Sequence, residues 1–356
     1  MAKQTVTPAT AWVANSTNPF ADQSFQDGDR SGTESITGTG FGSAADVILF
    51  DRMDAYSDGL ISTLTGPDIG EYIGYDNVTF GAINQAYAIT DDGRKWLANR
   101  KPTDVALDVK NSCGFKWANA SHLQDFTFSF RMRVPDGFKF TNAVSTNTLG
   151  GTASRLKMHW MYDSDVGELL DDLVVFTIIG DTSNRVAGNA VSPTSVSEGF
   201  IEYDFSEIDC VNDNLFLYSQ TRETSGGAND GIIETMQVTP SFYDRTVLTD
   251  CDPFNGSGPF AGYNEIILSA WLGRNAAPLS FADDLMGYAD IYISEGANHR
   301  ARVITHDAAT LAASTEMYIV PHDTWSSTEV TFTPVAREDL TFRSLILGDG
   351  TLRENV

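Results

Sequence analysis

The stretch Phe126–Val134 alternates apolar and polar residues without interruption, and this pattern restricts the fold more than any other in the chain. A period of two places every apolar side chain on one face of an extended strand. Similar runs recur to the end of the chain and are separated by clusters of Gly, Asn, Asp and Ser, which favour turns. Helical periodicity is scarce. We therefore predict an all-β protein whose antiparallel strands pack as a β-sandwich.

The strand signals divide the chain into three parts. Residues 1–30 are polar without a sustained period, which predicts an extended N-terminal arm held by its own domain or by a neighbouring copy. Residues 31–305 form the predicted sandwich. Residues 306–356 form a smaller C-terminal β module, with residues 31–55 as the candidate segment that packs against it. The run Leu173–Ile179 is continuously apolar, which favours a strand buried on both faces.

The charge balance excludes several classes of partner. The chain carries 48 acidic and 23 basic residues, for a formal net charge of −25. Such a surface repels phosphate groups, so we predict no nucleic-acid ligand and no insertion into an anionic membrane. No apolar run approaches the roughly 18 residues of a membrane span. The cysteines Cys113, Cys210 and Cys251 are odd in number and show no CxxC spacing, so neither a zinc site nor a disulfide framework is predicted.

Four short stretches resemble known families. Ser35–Ser43, with the letters SITGTGFGS, resembles the opening strand and turn of immunoglobulin-like TIG-type domains. Tyr288–Ile293, Ala301–Val303 and Asp230–Glu234 resemble strands of concanavalin-like, laminin-G-type jelly rolls. The order of these parts is similar to that of large proteins of marine bacteriophages. The resemblance implies a lectin-like jelly roll and carries over no catalytic residue.

The sequence contains no convincing catalytic group of residues, so we predict a protein that is not an enzyme. Glu207 and Asp209 have the spacing of a glycosidase carboxylate strand, but the third position is Asn212, which cannot exchange the catalytic proton. Polysaccharide lyases on this fold need Tyr, His and Arg side chains that converge. His159 with Tyr162, or Arg155 with Lys157, are candidates whose spacing equally fits an ordinary surface strand.

Acidic and aromatic residues supply candidates for ligand binding. Asp163, Asp165 and Asp172 cluster around Gly167, and Asp290 matches the strand aspartate of the sandwich family, so these four are candidate Ca²⁺ ligands. The alternative is a solvated turn in which aspartates bond their own backbone. The aromatic residues Trp160 and Tyr288 are candidates to stack on a sugar, although tryptophans in sandwiches more often fill the core.

Together these features predict a non-enzymatic virion structural protein, such as a capsid decoration protein, head fibre or tail-associated protein. Its expected partners are other virion proteins, copies of itself and host-surface glycans. The N-terminal residues Met1–Pro8 contain no apolar h-region, so export by a cleaved signal peptide is not expected. The alternatives are an extracellular carbohydrate-binding module, Ca²⁺-dependent or not, and a polysaccharide lyase or glycoside hydrolase.

Overall fold

The computed structural model describes residues 5–6, 32–61, 66–71, 86–91, 94–100, 115–133, 154–162, 174–180, 185–191, 197–204, 214–221, 231–239, 242–251, 263–272, 285–314, 316–335, 340–354 and 356. Their regular structure is β-strand apart from one 3₁₀ turn at Leu311–Ala313. Every strand pairing within the described residues is antiparallel, which confirms the predicted all-β class. None of the described residues belongs to a helix long and apolar enough to cross a membrane.

Sheets I and II form the sandwich. Sheet I consists of β1 (Thr5–Val6), β3 (Asp46–Asp51), β4 (Gly59–Ile61), β5 (Ala86–Asp91), β6 (Arg94–Arg100), β8 (Phe126–Arg133), β13 (Asn214–Thr221), β14 (Gly231–Thr239), β15 (Phe242–Cys251) and β17 (Leu285–Glu295). Sheet II consists of β7 (Phe115–Leu123), β9 (Ser154–Tyr162), β10 (Val174–Gly180), β11 (Arg185–Val191), β12 (Ser197–Asp204) and β16 (Tyr263–Leu272). The order in sheet I is β1-β15-β14-β13-β8-β17-β6-β5-β4, with β3 also paired to β17. The order in sheet II is β12-β11-β10-β9-β16-β7.

Two smaller sheets form the C-terminal part. Sheet III consists of β18 (Arg302–His306), β19 (Met317–Val320), β22 (Phe342–Ile346) and β23 (Leu352–Glu354). Sheet IV consists of β2 (Glu34–Thr37), β20 (His322–Trp325) and β21 (Glu329–Phe332). Strand β2 pairs with β21, so the beginning of the sandwich segment contributes a strand to the C-terminal part. Sheet III also begins at Arg302, a few residues before the predicted boundary at residue 306.

The sheets are stacked in the order II, I, III, IV, through one aromatic contact and two hydrophobic clusters. Phe126 of sheet I and Tyr263 of sheet II meet edge to face, with ring centroids 6.0 Å apart. On the other side of sheet I, Phe50 and Tyr292 pack with residues of sheet III: Ile304, Met317, Ile319, Ile346 and Leu352. The second cluster joins sheet III to sheet IV through Val303, Tyr318, Val320, Leu345, Ile36, Val330 and Phe332. Successive residues of sheet III alternate between the two clusters, so this sheet is buried on both faces.

In strand β8 the stacking buries the polar face that the sequence pattern assigns to solvent. Alternation predicts one polar face in solvent, but Thr127, Ser129 and Arg131 are as buried as Phe128 and Phe130. Sheet III covers that face, and buried polar groups must then be hydrogen-bonded inside the protein. Thr127 is accordingly bonded to a histidine that follows β17, and Arg131 forms a buried ion pair.

Arg131 links sheet I to sheet III. Its Nε donates to Asp290 Oδ2 at 3.1 Å, and its guanidinium also donates to the carbonyl of Met317 on β19. The same guanidinium lies 5.8 Å from the ring centroid of Tyr318. Asp290 has a φ of 49°, a left-handed conformation that Asp adopts more readily than most residues, and it sits where the β17–β8 register shifts.

The Gly-rich turn Gly38–Gly42 connects β2 to the rest of the chain. Gly40 and Gly42 both have a φ of 72°, which few residues other than glycine adopt without strain. Phe41 between them is buried in the cluster that joins sheets III and IV. A side chain at Gly38 would have its Cβ 2.5 Å from Phe41 Cζ, so this position requires glycine to admit the ring.

We expect Arg131→Met to destabilise the protein by about 3–5 kcal/mol, because the substitution removes the cation from a buried carboxylate. Urea unfolding followed by intrinsic fluorescence measures the loss. In the matched double variant Arg131→Met/Asp290→Asn the buried charge is gone, and Asn also tolerates positive φ. This variant should regain more than half of the lost stability, whereas equal midpoints for wild type and Arg131→Met would contradict the role of the pair.

Candidate functional site

The two faces of sheet II differ in composition. Directly paired residues of an antiparallel sheet lie on the same face, and successive residues alternate. Ile266 on β16 is buried, and its row of paired positions is apolar: Trp117, Met161, Val174 and Ala190. This row belongs to the face that packs on sheet I. A second row on the same face is apolar except for His159: Phe115, Leu268, Phe176 and Ile201.

We call the opposite side the outer face of sheet II. Every charged residue at a paired position of sheet II falls on it: Lys116, Arg155, Lys157, Arg185, Glu202, Asp204 and Glu265. The same face also holds Trp160, Tyr162, Asn189 and Trp271. The registers thus separate an apolar face from a face that carries the charged positions.

A β-bulge in the middle of β9 sets the composition of the outer face. The register with β10 passes from the pair Phe176–His159 to the pair Thr177–Lys157, which leaves Met158 as an extra residue on β9. The register of β9 with β16 shifts at the same level. One extra residue inverts the facing of everything on one side of it, because the side-chain period is two.

The bulge brings two cations and two aromatic residues onto one line. Without it, Arg155 and Lys157 would share a face with His159, and Trp160 and Tyr162 would lie on the other. With it, the cations share the outer face with the indole and the phenol, and His159 falls on the core side. Bulges are common beside functional sites, where they redirect side chains.

Strand spacings set the scale of this arrangement. Residues two apart on a strand are about 6.6–6.8 Å from each other, and directly paired Cα atoms are about 4.5–5.5 Å apart. Lys157 is paired with Trp271, and Tyr162 is paired with Glu265, both on the adjacent strand β16. The outer face therefore combines cations, aromatic surfaces, a phenol and a carboxylate within the span of one short oligosaccharide.

The cations of β9 stand out against the charge of the whole chain. With a net charge of −25, long-range repulsion keeps polyanions away from most of the surface. Arg155 and Lys157 are adjacent on the same face of a strand near the middle of sheet II, whereas the acids Glu202 and Asp204 lie on its edge strand β12.

Tyr288, a predicted sugar-stacking residue, lies inside the protein. It is 0% exposed, its ring centroid is 5.7 Å from that of Phe130, and burial raises the pKa of its phenol far above the ordinary value. Neither face of the ring is presented to a sugar, so the structure corrects this assignment. The other predicted stacking residue, Trp160, is on the outer face of sheet II.

Of the predicted calcium ligands, the structure describes Asp290 alone. Asp290 is buried in the ion pair with Arg131, which occupies the carboxylate that was expected to bind a cation. Asp163, Asp165 and Asp172 lie outside the described residues, as do Glu207, Asp209 and Asn212. Among the residues that the structure describes, no three His, Cys, Asp or Glu side chains are grouped so that they could hold a metal ion.

No family model and no curated protein sequence matches the chain, whereas solved structures do. A marine alginate lyase from Aplysia kurodai has a TM-score of 0.42 and 10% identity, over 59% of this chain and 87% of that one. A Bacillus licheniformis β-glucanase has a TM-score of 0.33 and 9% identity, over 72% and 98%. The lumenal domain of VIP36, in a form bound to Ca²⁺ and Man3GlcNAc, has a TM-score of 0.31 and 14% identity, over 59% and 82%.

The chain is an antiparallel β-sandwich, consistent with the jelly roll that the sequence predicts. Nothing in the comparisons supports the resemblance to TIG-type domains or to bacteriophage proteins. The prediction that the chain is not an enzyme is contradicted, because the similar structures include alginate lyases and β-glucanases. That prediction considered residues close together in sequence, whereas the outer face assembles residues from several strands.

Two outer-face residues were missed from the sequence alone, namely Lys116 and Glu265. The sequence of β9 gives no signal for the bulge. Its polar positions run 155, 157 and 159 in regular alternation, so the pattern continues through His159 and past the extra residue Met158.

Deleting Met158 should remove the bulge and leave β9 a regular strand, because Lys157 would then directly precede His159 and keep its pairing with Thr177. Arg155 and Lys157 stay in register with β10, so we expect the deletion to be tolerated at a cost of about 1 kcal/mol. The control deletion of Met161, in a regular part of the strand, shifts the register on one side of it and should cost several kcal/mol. Thermal unfolding measures both. A Met158 deletion as damaging as the Met161 deletion would contradict the described register.

Proposed function

We propose that the chain binds a polysaccharide on the outer face of sheet II and cleaves it there. The observation that supports this is the register of β9, in which the bulge at Met158 assigns Arg155, Lys157, Trp160 and Tyr162 to the same face of the sheet. Aromatic rings bind the C–H faces of sugars, and cations bind carboxylate or sulfate groups. A sheet face with six strands is long enough, at about 4.8 Å per strand, for several sugar units.

The spacing of the acids favours elimination over hydrolysis. A glycosidase needs two carboxyl groups about 5–9.5 Å apart. Among the paired positions of sheet II, Glu265 on β16 is four strands away from Glu202 and Asp204 on β12, which is about 19 Å. A hydrolytic pair is therefore not formed by these residues.

Tyr162 is the proton-transfer group best placed for elimination. In this reaction a base removes the proton on the carbon next to a uronate carboxylate, the bond to the glycosidic oxygen at the next carbon breaks, and that oxygen takes up a proton. Tyr162 is a suitable acid–base residue. Lys157 and Arg155 are five and seven residues along β9 from Tyr162, roughly 15–20 Å, so they would bind carboxylates of neighbouring sugar units and orient the polymer.

The test is a panel of acidic and neutral polysaccharides assayed for unsaturated sugar ends and for reducing ends. We expect unsaturated product from an acidic polymer, and Tyr162→Phe should reduce its formation by about 100-fold or more while binding persists. Trp160→Ala should weaken binding by about tenfold, or about 1.4 kcal/mol. Lys157→Gln should weaken binding and make it less sensitive to salt.

Lys95→Gln is the matched control. Lys95 lies on sheet I and is paired with Asp58 at 2.5 Å, so its loss should change neither binding nor cleavage. If the assay detects new reducing ends but no unsaturated ends, the reaction is hydrolysis and the proposed elimination is wrong. No binding to any polymer of the panel would overturn the proposed function.

Two predicted features stay predictions. The aspartates 163, 165 and 172 follow β9 directly in the sequence, so a Ca²⁺ site there would adjoin Tyr162. Loss of polysaccharide binding on adding a chelator would support it.

The predicted place in a virus particle, with other virion proteins and copies of this chain as partners, would be tested by mass spectrometry of purified particles.

A further inference from the structure

The seam between sheets I and III contains two buried histidines. His299 follows β17 at the point where the chain leaves sheet I, and His306 ends β18 in sheet III. Both are buried, at 2% and 0% exposure. Between them runs β18, whose Ile304 packs against Phe50 and Tyr292 of sheet I. The two imidazoles therefore mark the two ends of the segment that joins the layers.

His299 attaches the connecting segment to sheet I through hydroxyl groups. Its Nδ1 is 2.8 Å from Thr127 Oγ1 on β8, and its Nε2 is 3.2 Å from Thr221 Oγ1 on β13. Ser294 Oγ on β17 donates to the carbonyl of His299 at 2.6 Å. The charged groups that act on the imidazole are Arg300 and Arg302, both cations.

His306 ties the 3₁₀ turn to sheet III in the same manner. Its Nδ1 is 3.1 Å from Ser314 Oγ, just after the turn, and its Nε2 is 2.8 Å from Ser344 Oγ on β22. The turn residue Leu311 packs in the cluster between sheets I and III. Of the charged groups that act on this imidazole, Arg343 opposes a positive charge and Asp307 favours one.

We propose that His299 and His306 make the seam between sheets I and III an acid-sensitive joint, which opens when the two imidazoles take up protons. Each ring is enclosed by hydroxyl groups and lies near arginine, so a proton adds a cation where burial and like charge both oppose it. In the open joint the rings are hydrated and titrate normally. The released element is sheet III, while the sandwich of sheets I and II stays folded.

The direction of the pH effect follows from the pKa values. Burial, with the nearby arginines, lowers the pKa of His299 to about 3, and burial lowers that of His306 to about 4. Since the ordinary value is about 6.5, the closed joint is fully stable above that pH and weakens as the pH falls. Between pH 7 and pH 5 the opening constant should rise about 20-fold for each imidazole and about 500-fold for both.

The experiment is amide hydrogen exchange of the full chain, followed by mass spectrometry from pH 7 to pH 5 and corrected for intrinsic exchange rates. We expect the opening constant of sheet III peptides, such as residues 317–320 and 342–346, to rise by about two to three orders of magnitude. Peptides of sheet II, such as residues 154–162, should change little. Equal increases of the opening constant in all sheets would show global unfolding and would overturn the proposal of a local opening between sheets I and III.

Variants separate the two histidines from other titrating groups. His299→Asn and His306→Asn should each remove about half of the pH dependence on a logarithmic scale, and the double variant should remove nearly all of it. The readout is the slope with pH, which a general loss of stability does not remove. His322→Asn is the matched control, because His322 is a partly buried imidazole of sheet IV outside the seam. An unchanged slope in the double variant would overturn the proposal.

Discussion

The coverage of sheet I on both faces is the constraint on which the rest of the structure depends. Once sheet III packs against the polar side of β8 and β17, the polar side chains there lose contact with water, and most of them need a hydrogen-bond partner inside the protein. Ser129 Oγ is the exception on β8, since it is buried without one. Arg131 with Asp290, and Thr127 with His299, supply such pairings. A buried ion pair adds little net stability over a well-packed apolar pair, but it penalises any packing that separates its members. The pairings therefore specify where sheet III sits.

This arrangement also explains why the candidate site is on sheet II. The central strands of sheet I are enclosed between two layers, and sheet III is enclosed between sheets I and IV. Sheet II has one face on the core and carries its charged residues on the other. Under the proposed function, this second face is the one along which a polymer would lie, since the registers assign cations and aromatic residues of the middle strands to it.

The sequence predicted the class of fold because period-two runs separated by turn residues have few solutions other than packed antiparallel sheets. The resemblance of Ser35–Ser43 also implied a strand followed by a turn, and the structure has both there, with Gly40 and Gly42 at positive φ on either side of the buried Phe41. It did not predict that Thr127 and Arg131 would be buried. Their burial depends on sheet III, which comes from residues far along the chain, and alternation describes a strand without stating what covers each face.

The candidate site was only partly predictable for a related reason. Trp160, Tyr162, Arg155 and Lys157 were recognised as chemically suitable, but strict alternation assigns the aromatic pair and the cationic pair to opposite faces. One extra residue, Met158, reverses that assignment. The face on which a residue lies is found by following the strand pairings from a residue known to be buried, here Ile266. Each bulge on the way reverses the assignment, so one bulge is enough to make the local pattern misleading. Which face of sheet II each residue of β9 belongs to therefore depends on the extra residue Met158 as well as on the alternation of the strand.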